Sequence, residues 1–580
     1  MLRKYGLLAL GLILILAGSV LAHAVQTTNG VTVTDVRFAG DKGVVMSGLL
    51  YRPASATKAK PAPAILASHG YINTREMQSP FAIELSRRGF VVLAMDMTGH
   101  GNSGAAVGQQ GFGGPAALRY LRGLAYVDKS NIGLEGHSLG GGPVVAAAES
   151  APDGYKAVVL EGSTPAIGAV FGAAAKGQLR NLAIVFGQYD EFAPLMWQVA
   201  KGGDVETSKA LQAMFGATGP VVEGRLYGDP AAGTARVLYN PPITHPWEHF
   251  SSSGVGHAVD WFQTQLSGAA RPLPPGDQIW IWKEVGTGAG FLGFVILLLG
   301  SFQVLLTTPV FAGLARPAEP AGTQRGGKWW LAAMLTATVP AATFFLFMTV
   351  GNLFFPMKLF PQFITNQLLV WALLNGVLTL VLGIFLKGGK SAFTTDWLRG
   401  VGIAVATVAV GYLSLAAVDA VFGVDYRFWV LGLKPLDGPH AVMALAYLPL
   451  WTAFFLVSLR ALNANLAVKG EGAARAYLTA ALAMSLGFVL LLAMQYGSLF
   501  TTGLLAVPQQ HLNTIIAIQF VPLLAMVGVI AAFTYRRTNS YVPGALICAL
   551  VICWYVTAGT ATHWSPEFRL PGAGTAATTK

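Results

Sequence analysis

The sequence is poor in charged residues. Asp, Glu, Lys and Arg make up 11% of the 580 residues, whereas hydrophobic residues make up 53%. A soluble globular chain carries about 25% charged residues, so a large part of this chain is expected to lie in lipid. The shortage is uneven, because residues 25–268 carry regularly spaced charges and long apolar runs begin at Val285. This change predicts a soluble domain of about 240 residues, enough for one large core, followed by a polytopic membrane domain.

Cysteine is almost absent. The two cysteines, Cys548 and Cys553, lie in one apolar segment near the C-terminus and cannot cross-link the soluble domain. The compartment therefore has to be inferred from targeting signals. The chain begins with the basic run MLRK, followed by an apolar stretch and the small-residue sequence AHA. Residues 1–24 are thus predicted to be a signal peptide or an uncleaved signal anchor, and either one exports the soluble domain behind it.

Eight apolar segments after the soluble domain are long enough to span a bilayer. They comprise residues 285–311, 329–355, 367–386, 400–422, 441–459, 476–500, 514–535 and 543–562. Residues 269–284, which are rich in proline and include Trp280 and Trp282, are predicted to be a linker and interfacial segment. Residues 285–562 are therefore predicted to be the membrane domain.

The basic residues of the membrane domain indicate its orientation. Most of them lie in the odd-numbered loops between the segments: Arg316, Arg325, Lys328, Lys387, Lys390, Arg399, Arg460, Lys469, Arg475, Arg536 and Arg537. Loops rich in Lys and Arg stay in the cytoplasm. The soluble domain and the tail of residues 563–580 are therefore expected to be extracytoplasmic. The net charge of +11 thus indicates membrane orientation, and no nucleic-acid partner is expected.

Ionisable residues inside the apolar segments are scarce. Asp419 is the main one, and it lies near the outer end of its segment, where a capping or snorkelling role is expected. Gln495 and Gln519 are expected to form interhelical hydrogen bonds. The sequence shows no proton relay, no metal-ligand cluster and no nucleotide-binding loop, so no cofactor and no metal are predicted.

The soluble domain shows the pattern of an α/β protein. Strands are predicted at residues 31–38, 44–51, 64–68, 90–96, 131–135, 156–161, 182–187 and 235–239. Helical stretches separate them from the third strand onward. Two leading strands followed by βαβ alternation predict a mostly parallel sheet covered by helices. In such sheets the ligand site lies at the carboxyl ends of the strands.

A glycine-flanked serine follows the fifth predicted strand. The sequence GHSLG at residues 136–140 matches G-x-S-x-G, in which a sharp strand-to-helix turn presents the serine hydroxyl at the edge of the sheet. The alternative is a tight glycine-rich turn with an incidental serine. A serine hydroxyl needs a histidine that takes its proton and a carboxylate that orients that histidine.

Candidates for both partners of Ser138 follow later strands, in the order Ser, Asp, His. Asp190 is favoured as the acid over Glu191, whose side chain is expected to point the other way. His245 is favoured as the base because it follows the last strand, and His249 is the alternative. Four other polar residues at the strand ends are expected to have structural roles: His69, Asp96, His100 and His137.

Three motifs carry a family resemblance. SHGY follows the third strand, DMTGHGNS follows the fourth, and GHSLGG forms the turn after the fifth. Together they resemble the α/β-hydrolase superfamily over nearly the whole soluble domain. The resemblance implies the α/β-hydrolase fold, with Ser138 as nucleophile and Asp190 as acid. It also implies an oxyanion hole formed by the backbone amides of Tyr71 and Leu139.

The resemblance implies acyl transfer through an acyl-enzyme, and an ester or lipid-like substrate is preferred. A peptidase or acyltransferase acting through the same residues is an alternative. A non-catalytic sensor or accessory domain of a transporter is another, because the fold hosts many functions. Residues 192–225 could cover the site, and Trp197, Met214 and Phe215 could line an acyl pocket or simply pack. The expected partners are a small ester substrate and the lipid bilayer.

Overall fold

Contacts between Cα atoms divide the chain into two units. The computed structural model describes residues 2–168, 178–320, 322, 324–354, 359–386 and 396–563. Lys387, Lys390 and the predicted tail beyond His563 lie outside the described residues. We call Val20–Gly286, Tyr496–His511 and Gly559–Lys580 the sheet unit. We call Met1–Ser19, Thr287–Gln495 and Leu512–Ala558 the helical unit.

The chain begins with one long helix, α1, which runs from Leu2 to Gln26. It includes the AHA sequence of the predicted signal peptide or signal anchor. Eight strands follow, and they are β1 (Thr32–Ala39), β2 (Val45–Arg52), β3 (Ala62–Ser68), β4 (Val91–Met95), β5 (Val127–His137), β6 (Ala157–Glu161), β7 (Leu182–Val185) and β8 (Arg236–Tyr239).

These strands form one sheet in the order β1-β2-β4-β3-β5-β6-β7-β8. Strands β3 to β8 pair in parallel, whereas β2 pairs antiparallel with both β1 and β4. The prediction of a mostly parallel sheet with two leading strands is confirmed. Every residue of β3, β4, β6 and β7 is buried, as expected for a parallel sheet covered on both faces.

In the described part of the chain, helices follow β3, β4, β5, β7 and β8. They are α2 (Ser79–Ser86), α3 (Gly114–Gly123), α4 (Gly141–Ser150), α5 (Ala193–Trp197), α6 (Lys209–Phe215) and α7 (Ser252–Gln265). Strand β5 is longer than predicted, because Val127 already pairs with Ala62 before the apolar run begins. The residues between Val127 and Ile132 are polar, so a hydrophobicity pattern does not predict that they belong to the strand.

The predicted linker is held against α2. Arg88 donates to the main-chain oxygen of Asp277 over 2.8 Å. The buried carboxylate of Glu84 accepts hydrogen bonds from the main-chain N–H groups of Ile279 (2.6 Å) and Trp280 (3.0 Å). The next helix therefore begins at Trp280, because Glu84 satisfies the first amides of that helix.

The remaining helices are apolar, and all of them except the eight-residue helix Phe344–Gly351 are long. They are α8 (Trp280–Leu305), α9 (Gly327–Ala342), α10 (Phe344–Gly351), α11 (Phe363–Leu386), α12 (Trp397–Phe422), α13 (Gly438–Leu466), α14 (Ala473–Thr502), α15 (His511–Thr538) and α16 (Val542–Gly559). Eight helices of the described chain, α1 among them, are each long and apolar enough to cross a membrane. The chain is thus that of a multi-pass membrane protein.

The second predicted segment is broken rather than continuous. Helices α9 and α10 meet at Thr343 with a bend of 44°. Pro340 lies in the last turn of α9, where it lacks an N–H group and crowds the preceding turn. A hydropathy pattern does not register such a bend, because both halves are apolar and hydropathy carries no information on direction.

Two short segments from the C-terminal half belong to the sheet unit. Residues 496–511 include the end of α14 and the start of α15, and residues 559–563 follow α16. Thr562 exchanges two main-chain hydrogen bonds with the loop after β4, one to Gly99 O (2.7 Å) and one from Val107 N (3.1 Å). The sheet unit is thus discontinuous in sequence.

Candidate active site

Ser138 lies on the sharp turn between β5 and α4. Its backbone has a φ of +54°, a left-handed conformation that is costly for a residue with a side chain. The turn is tight because a side chain on Gly140 would collide with the carbonyl oxygen of Ser68. Ser163 secures the turn by donating a hydrogen bond to the main-chain oxygen of Ser138 over 2.6 Å. This is the strained strand-to-helix geometry predicted from GHSLG.

Ser138, His245 and Asp190 form one chain of hydrogen bonds. His245 Nδ1 lies 2.8 Å from Asp190 Oδ2, and His245 Nε2 lies 2.8 Å from Ser138 Oγ. Because the carboxylate can only accept, Nδ1 carries the proton and Nε2 accepts from the serine hydroxyl. The structure therefore brings together the three residues that the sequence predicts, from the ends of three different strands.

The electrostatic surroundings favour a basic imidazole at His245. Burial by itself lowers the pKa of His245, but the negative charge of Asp190, its hydrogen bond and the charge of Glu191 together raise that pKa above its ordinary value. A raised pKa means that the imidazolium form is stabilised, which is the form that exists after proton abstraction from a serine.

His249 occupies a different position. Its ring centroid lies 4.5 Å from that of His137. His137 donates from Nε2 to the main-chain oxygen of His245 over 3.1 Å. These two histidines therefore pack behind His245, whereas His245 is the one that contacts Ser138.

Glu191 points toward the site, contrary to the sequence-based prediction. Its Oε2 accepts a hydrogen bond of 2.8 Å from the main-chain N–H of His245. The prediction assumed that neighbouring side chains alternate as they do in a strand. Strand β7 ends at Val185, and the following residues form a turn, so that Asp190 and Glu191 both approach His245.

A further carboxyl group lies beside His245. Glu248 is fully buried and accepts a hydrogen bond of 2.7 Å from Gly187 N–H through Oε1. Its Oε2 lies 3.8 Å from His245 Nδ1. Burial, with the charge of Asp190 nearby, raises the pKa of Glu248 well above its usual range. Glu248 lies three residues after His245 in the sequence, and this spacing was the signal that could have indicated its place beside the histidine.

The predicted oxyanion-hole residues flank the serine. Leu139 directly follows Ser138 at the entry to α4. Gly70, which precedes Tyr71, passes so close that a Cβ there would lie 3.0 Å from Ser138 Cβ. The Tyr71 hydroxyl lies 2.7 Å from His563 Nε2. Burial raises the pKa of Tyr71 and lowers that of His563 to about 4, so the neutral tyrosine donates to the neutral imidazole.

The polar residues assigned structural roles hold the loops around the site. The Asp96 carboxylate accepts from the main-chain N–H groups of Arg75 (2.9 Å) and Asn102 (3.0 Å). His69 accepts from the N–H of Met97 over 3.2 Å. These bonds tie the loop after β3 to the loop after β4 and thereby position the turn that carries Tyr71.

The aromatic residues of 192–225 pack against neighbouring parts of the sheet unit. Trp197 packs on Phe186 with ring centroids 6.4 Å apart, and Phe215 packs on Tyr227 at 5.5 Å. The ring that faces the site is Phe192, whose centroid lies 4.5 Å from that of His245. Ordinary packing, one of the two alternatives considered for Trp197 and Phe215, describes these contacts.

One group of side chains among the described residues has a spacing that a metal ion could use. Ligand atoms of His137, His245 and Glu248 all lie within 4.8 Å of one another. A metal bound there would need His245 Nδ1, which already donates to Asp190, and His137 Nε2, which already donates to His245 O. The site is organised around proton-bearing nitrogens, so we assign no metal to it.

Some residues near the site gave no signal in the sequence. Tyr496, His511 and His563 are separated from the strand ends by hundreds of residues, and they lie in or beside segments read as membrane spans. The structure places Tyr496 beside Glu191 and His511 beside Phe192. No local pattern predicts such pairings.

Part of the chain is similar to known proteins. Residues 63–193 match the family described as the alpha/beta hydrolase fold. No curated protein matches the chain. Among solved structures, a hypothetical protein from Pseudomonas aeruginosa is 26% identical, with a TM-score of 0.22, and the match covers 24% of this chain and 45% of that protein. The chain thus spans less than half the length of that protein.

Two other solved structures are matched over nearly their whole length. An esterase from Pyrococcus furiosus is 15% identical, with 41% of this chain and 94% of the esterase covered and a TM-score of 0.29. Dienelactone hydrolase from Anabaena variabilis is 18% identical, with 41% of this chain and 99% of that enzyme covered and a TM-score of 0.29. The family match over residues 63–193, the mostly parallel sheet and the GHSLGG turn lead to one assignment: the N-terminal part of this chain has the α/β-hydrolase fold, and a set of long apolar helices follows it.

Proposed function

We propose that this protein is a membrane-bound serine hydrolase that cleaves esters through Ser138, His245 and Asp190. The observation that carries the proposal is the continuous pair of 2.8 Å hydrogen bonds from Ser138 Oγ through the His245 ring to Asp190. A fold alone does not specify a reaction, whereas this arrangement is the one that activates a serine hydroxyl.

In the proposed reaction, Ser138 Oγ attacks the ester carbonyl carbon while His245 Nε2 takes the hydroxyl proton. Asp190 holds the imidazole in orientation and stabilises the imidazolium. The carbonyl oxygen becomes an oxyanion, which the backbone amides of Tyr71 and Leu139 stabilise. The C–O bond to the alcohol then breaks as His245 returns the proton to it. Water, deprotonated by the same histidine, hydrolyses the acyl-enzyme and restores Ser138.

An ester with an apolar acyl group is the preferred substrate. Phe192 lies against the His245 ring, and His511 lies against Phe192 with ring centroids 4.4 Å apart, so an aromatic surface adjoins the reacting atoms. A peptidase or an acyltransferase would use the same three residues. A purely sensory domain would not need a hydrogen-bonded serine in a left-handed turn, and the intact chain of hydrogen bonds therefore favours catalysis.

The proposal is tested by labelling the purified full-length protein with a fluorophosphonate probe, which reacts with activated serines. We expect labelling, and we expect competition by short- and medium-chain p-nitrophenyl esters but not by peptide amides. Competition by peptides alone would favour the peptidase. Absence of labelling in correctly folded protein would favour the non-catalytic alternative.

We also propose that the sheet unit is extracytoplasmic. Residues 496–511 and 559–563 belong to the sheet unit, so they lie on the same side of the membrane as residues 20–286. For the chain to return to that side, the helices from α8 to α14 must cross the membrane an even number of times. The same holds for the helices from α8 to α16. The requirement is met when α9 and α10 together count as one crossing. The basic odd-numbered loops then lie on the opposite side, in the cytoplasm.

Cysteine accessibility tests this orientation. Ala59 is exposed in a loop of the sheet unit and Gly326 is exposed between Arg325 and Lys328, while both native cysteines are buried. On intact cells we expect an impermeant maleimide to label Ala59→Cys and to label Gly326→Cys only after permeabilisation. The wild-type protein is the control for background. The opposite pattern would place the hydrolase in the cytoplasm.

A further inference from the structure

A segment from the C-terminal half of the chain contacts the loop that carries Asp190. Tyr496 donates a hydrogen bond of 2.8 Å to Glu191 Oε1. Phe500 packs against Tyr189 with ring centroids 5.2 Å apart, and His511 packs against Phe192. The segment 496–511 therefore contacts the residue before Asp190 and the two residues after it.

Glu191 connects this segment to the base. One carboxylate oxygen accepts from the Tyr496 hydroxyl and the other accepts from the main-chain N–H of His245, each over 2.8 Å. Asp190 meanwhile holds the imidazole of His245 through its side chain. Two adjacent carboxylates thus hold the same histidine. Asp190 binds the imidazole ring of His245, and Glu191 binds its main-chain N–H.

We propose that Tyr496 is a positioning residue of the hydrolase: its hydroxyl holds the ionised Glu191 carboxylate under the main chain of His245. The proposal rests on the proposed function, because it concerns the geometry of the same base. Tyr496 does not donate to the reacting atoms, and its effect on them passes through Glu191.

The charge state of Glu191 gives the proposal a measurable consequence. Burial and the charge of Asp190 raise the pKa of Glu191 to about 7, although His245 opposes this rise. A hydroxyl that donates to the carboxylate favours its ionised form. The titratable groups around Glu191 are Asp190, His245, Tyr496, Glu248 and, across Phe192, His511.

Removing the hydroxyl should therefore raise the pKa of Glu191 further. Below that pKa the protonated carboxyl is a weaker acceptor for the His245 N–H and no longer supports the imidazolium by charge. The active form then requires higher pH, so the acidic limb of the pH–rate profile shifts to higher pH. Since Tyr496 does not contact the substrate in this scheme, kcat changes and KM does not.

The test is the pH profile of p-nitrophenyl butyrate hydrolysis by the full-length protein in detergent micelles. For Tyr496→Phe we expect a fall in kcat of about three- to tenfold at pH 7, an unchanged KM, and an acidic limb shifted upward by about half a pH unit or more. In a Glu191→Gln background, Tyr496→Phe should produce no shift of the limb.

Tyr477→Phe is the matched control, because Tyr477 lies on the same helix and its hydroxyl accepts from Arg537 within the helical unit. It should leave the profile unchanged. An acidic limb that stays in place or moves downward in Tyr496→Phe, in a protein that remains active, would overturn the positioning role alone. Absence of hydrolysis and of probe labelling in the wild type would instead overturn the proposed function.

Discussion

Replacing Ser138 with alanine is expected to abolish ester hydrolysis and fluorophosphonate labelling. Loss of the nucleophile of a serine hydrolase typically lowers kcat by roughly 10⁴–10⁶-fold. The fold should persist, because the methyl group of alanine occupies the space of the half-exposed serine side chain and the Ser163 bond to the main chain remains. The measurements are p-nitrophenyl ester turnover, probe labelling and thermal unfolding followed by circular dichroism.

Ser150→Ala is the appropriate control for this variant. Ser150 lies at the exposed end of α4, the helix that follows the nucleophile, and its hydroxyl bonds only to the nearby Ala147 carbonyl among the described contacts. It should retain wild-type turnover. If Ser138→Ala unfolds at the wild-type temperature and still turns over ester at the wild-type rate, the nucleophile is another residue.

The second large effect is expected at His245. His245→Ala removes both the acceptor of the serine proton and the donor to Asp190, and we expect a loss of roughly 10³–10⁵-fold in kcat. His249→Ala should cost less than about tenfold at pH 7, because the His249 ring packs on that of His137, whereas the Ser138 hydroxyl is hydrogen-bonded to His245. Turnover and probe labelling rates of both purified variants provide the measurement.

Both histidines are buried, so thermal unfolding must accompany the rates. His249→Ala leaves a cavity and is expected to lower the unfolding temperature, while its activity in the folded state remains. The reverse ranking of activities would move the role of base to His249. Equal, small effects would exclude a histidine-dependent mechanism.

Local patterns in the sequence predicted a mostly parallel sheet, and together with the family resemblance they named Ser138, Asp190 and His245, with His249 left open as an alternative base. The apolar runs that became β3 and β4 are continuous and bounded by turn residues, and GHSLG at a strand end matches the G-x-S-x-G turn. The orientation of Glu191 could not be predicted, because strand alternation ends at Val185 and only the turn geometry decides where that side chain points. The bend at Thr343 was missed because hydropathy is insensitive to direction.

Tyr496 and His563 were beyond prediction for a different reason. Neither residue belongs to a motif, and each lies in or beside an apolar segment that reads as a membrane span on composition alone. Their contacts depend on which loops return to the same side of the membrane and on how the chain folds there. Such long-range pairings are a property of the tertiary structure, and a single sequence carries no periodic signal of them.

The discontinuity of the sheet unit also sets an order of events during synthesis. Tyr496 follows Glu191 by 305 residues, and His563 follows Tyr71 by 492 residues. At about 5–20 residues per second, the ribosome reaches Tyr496 roughly 15–60 s after Glu191 and reaches His563 roughly 25–100 s after Tyr71. The eight strands emerge long before these contacts can form. Until then, the loop that carries Asp190 and Glu191 and the turn that carries Tyr71 lack these partners. The last contacts of the site form only once the final helix has been made, and a chain that stalls earlier carries the serine without its full surroundings.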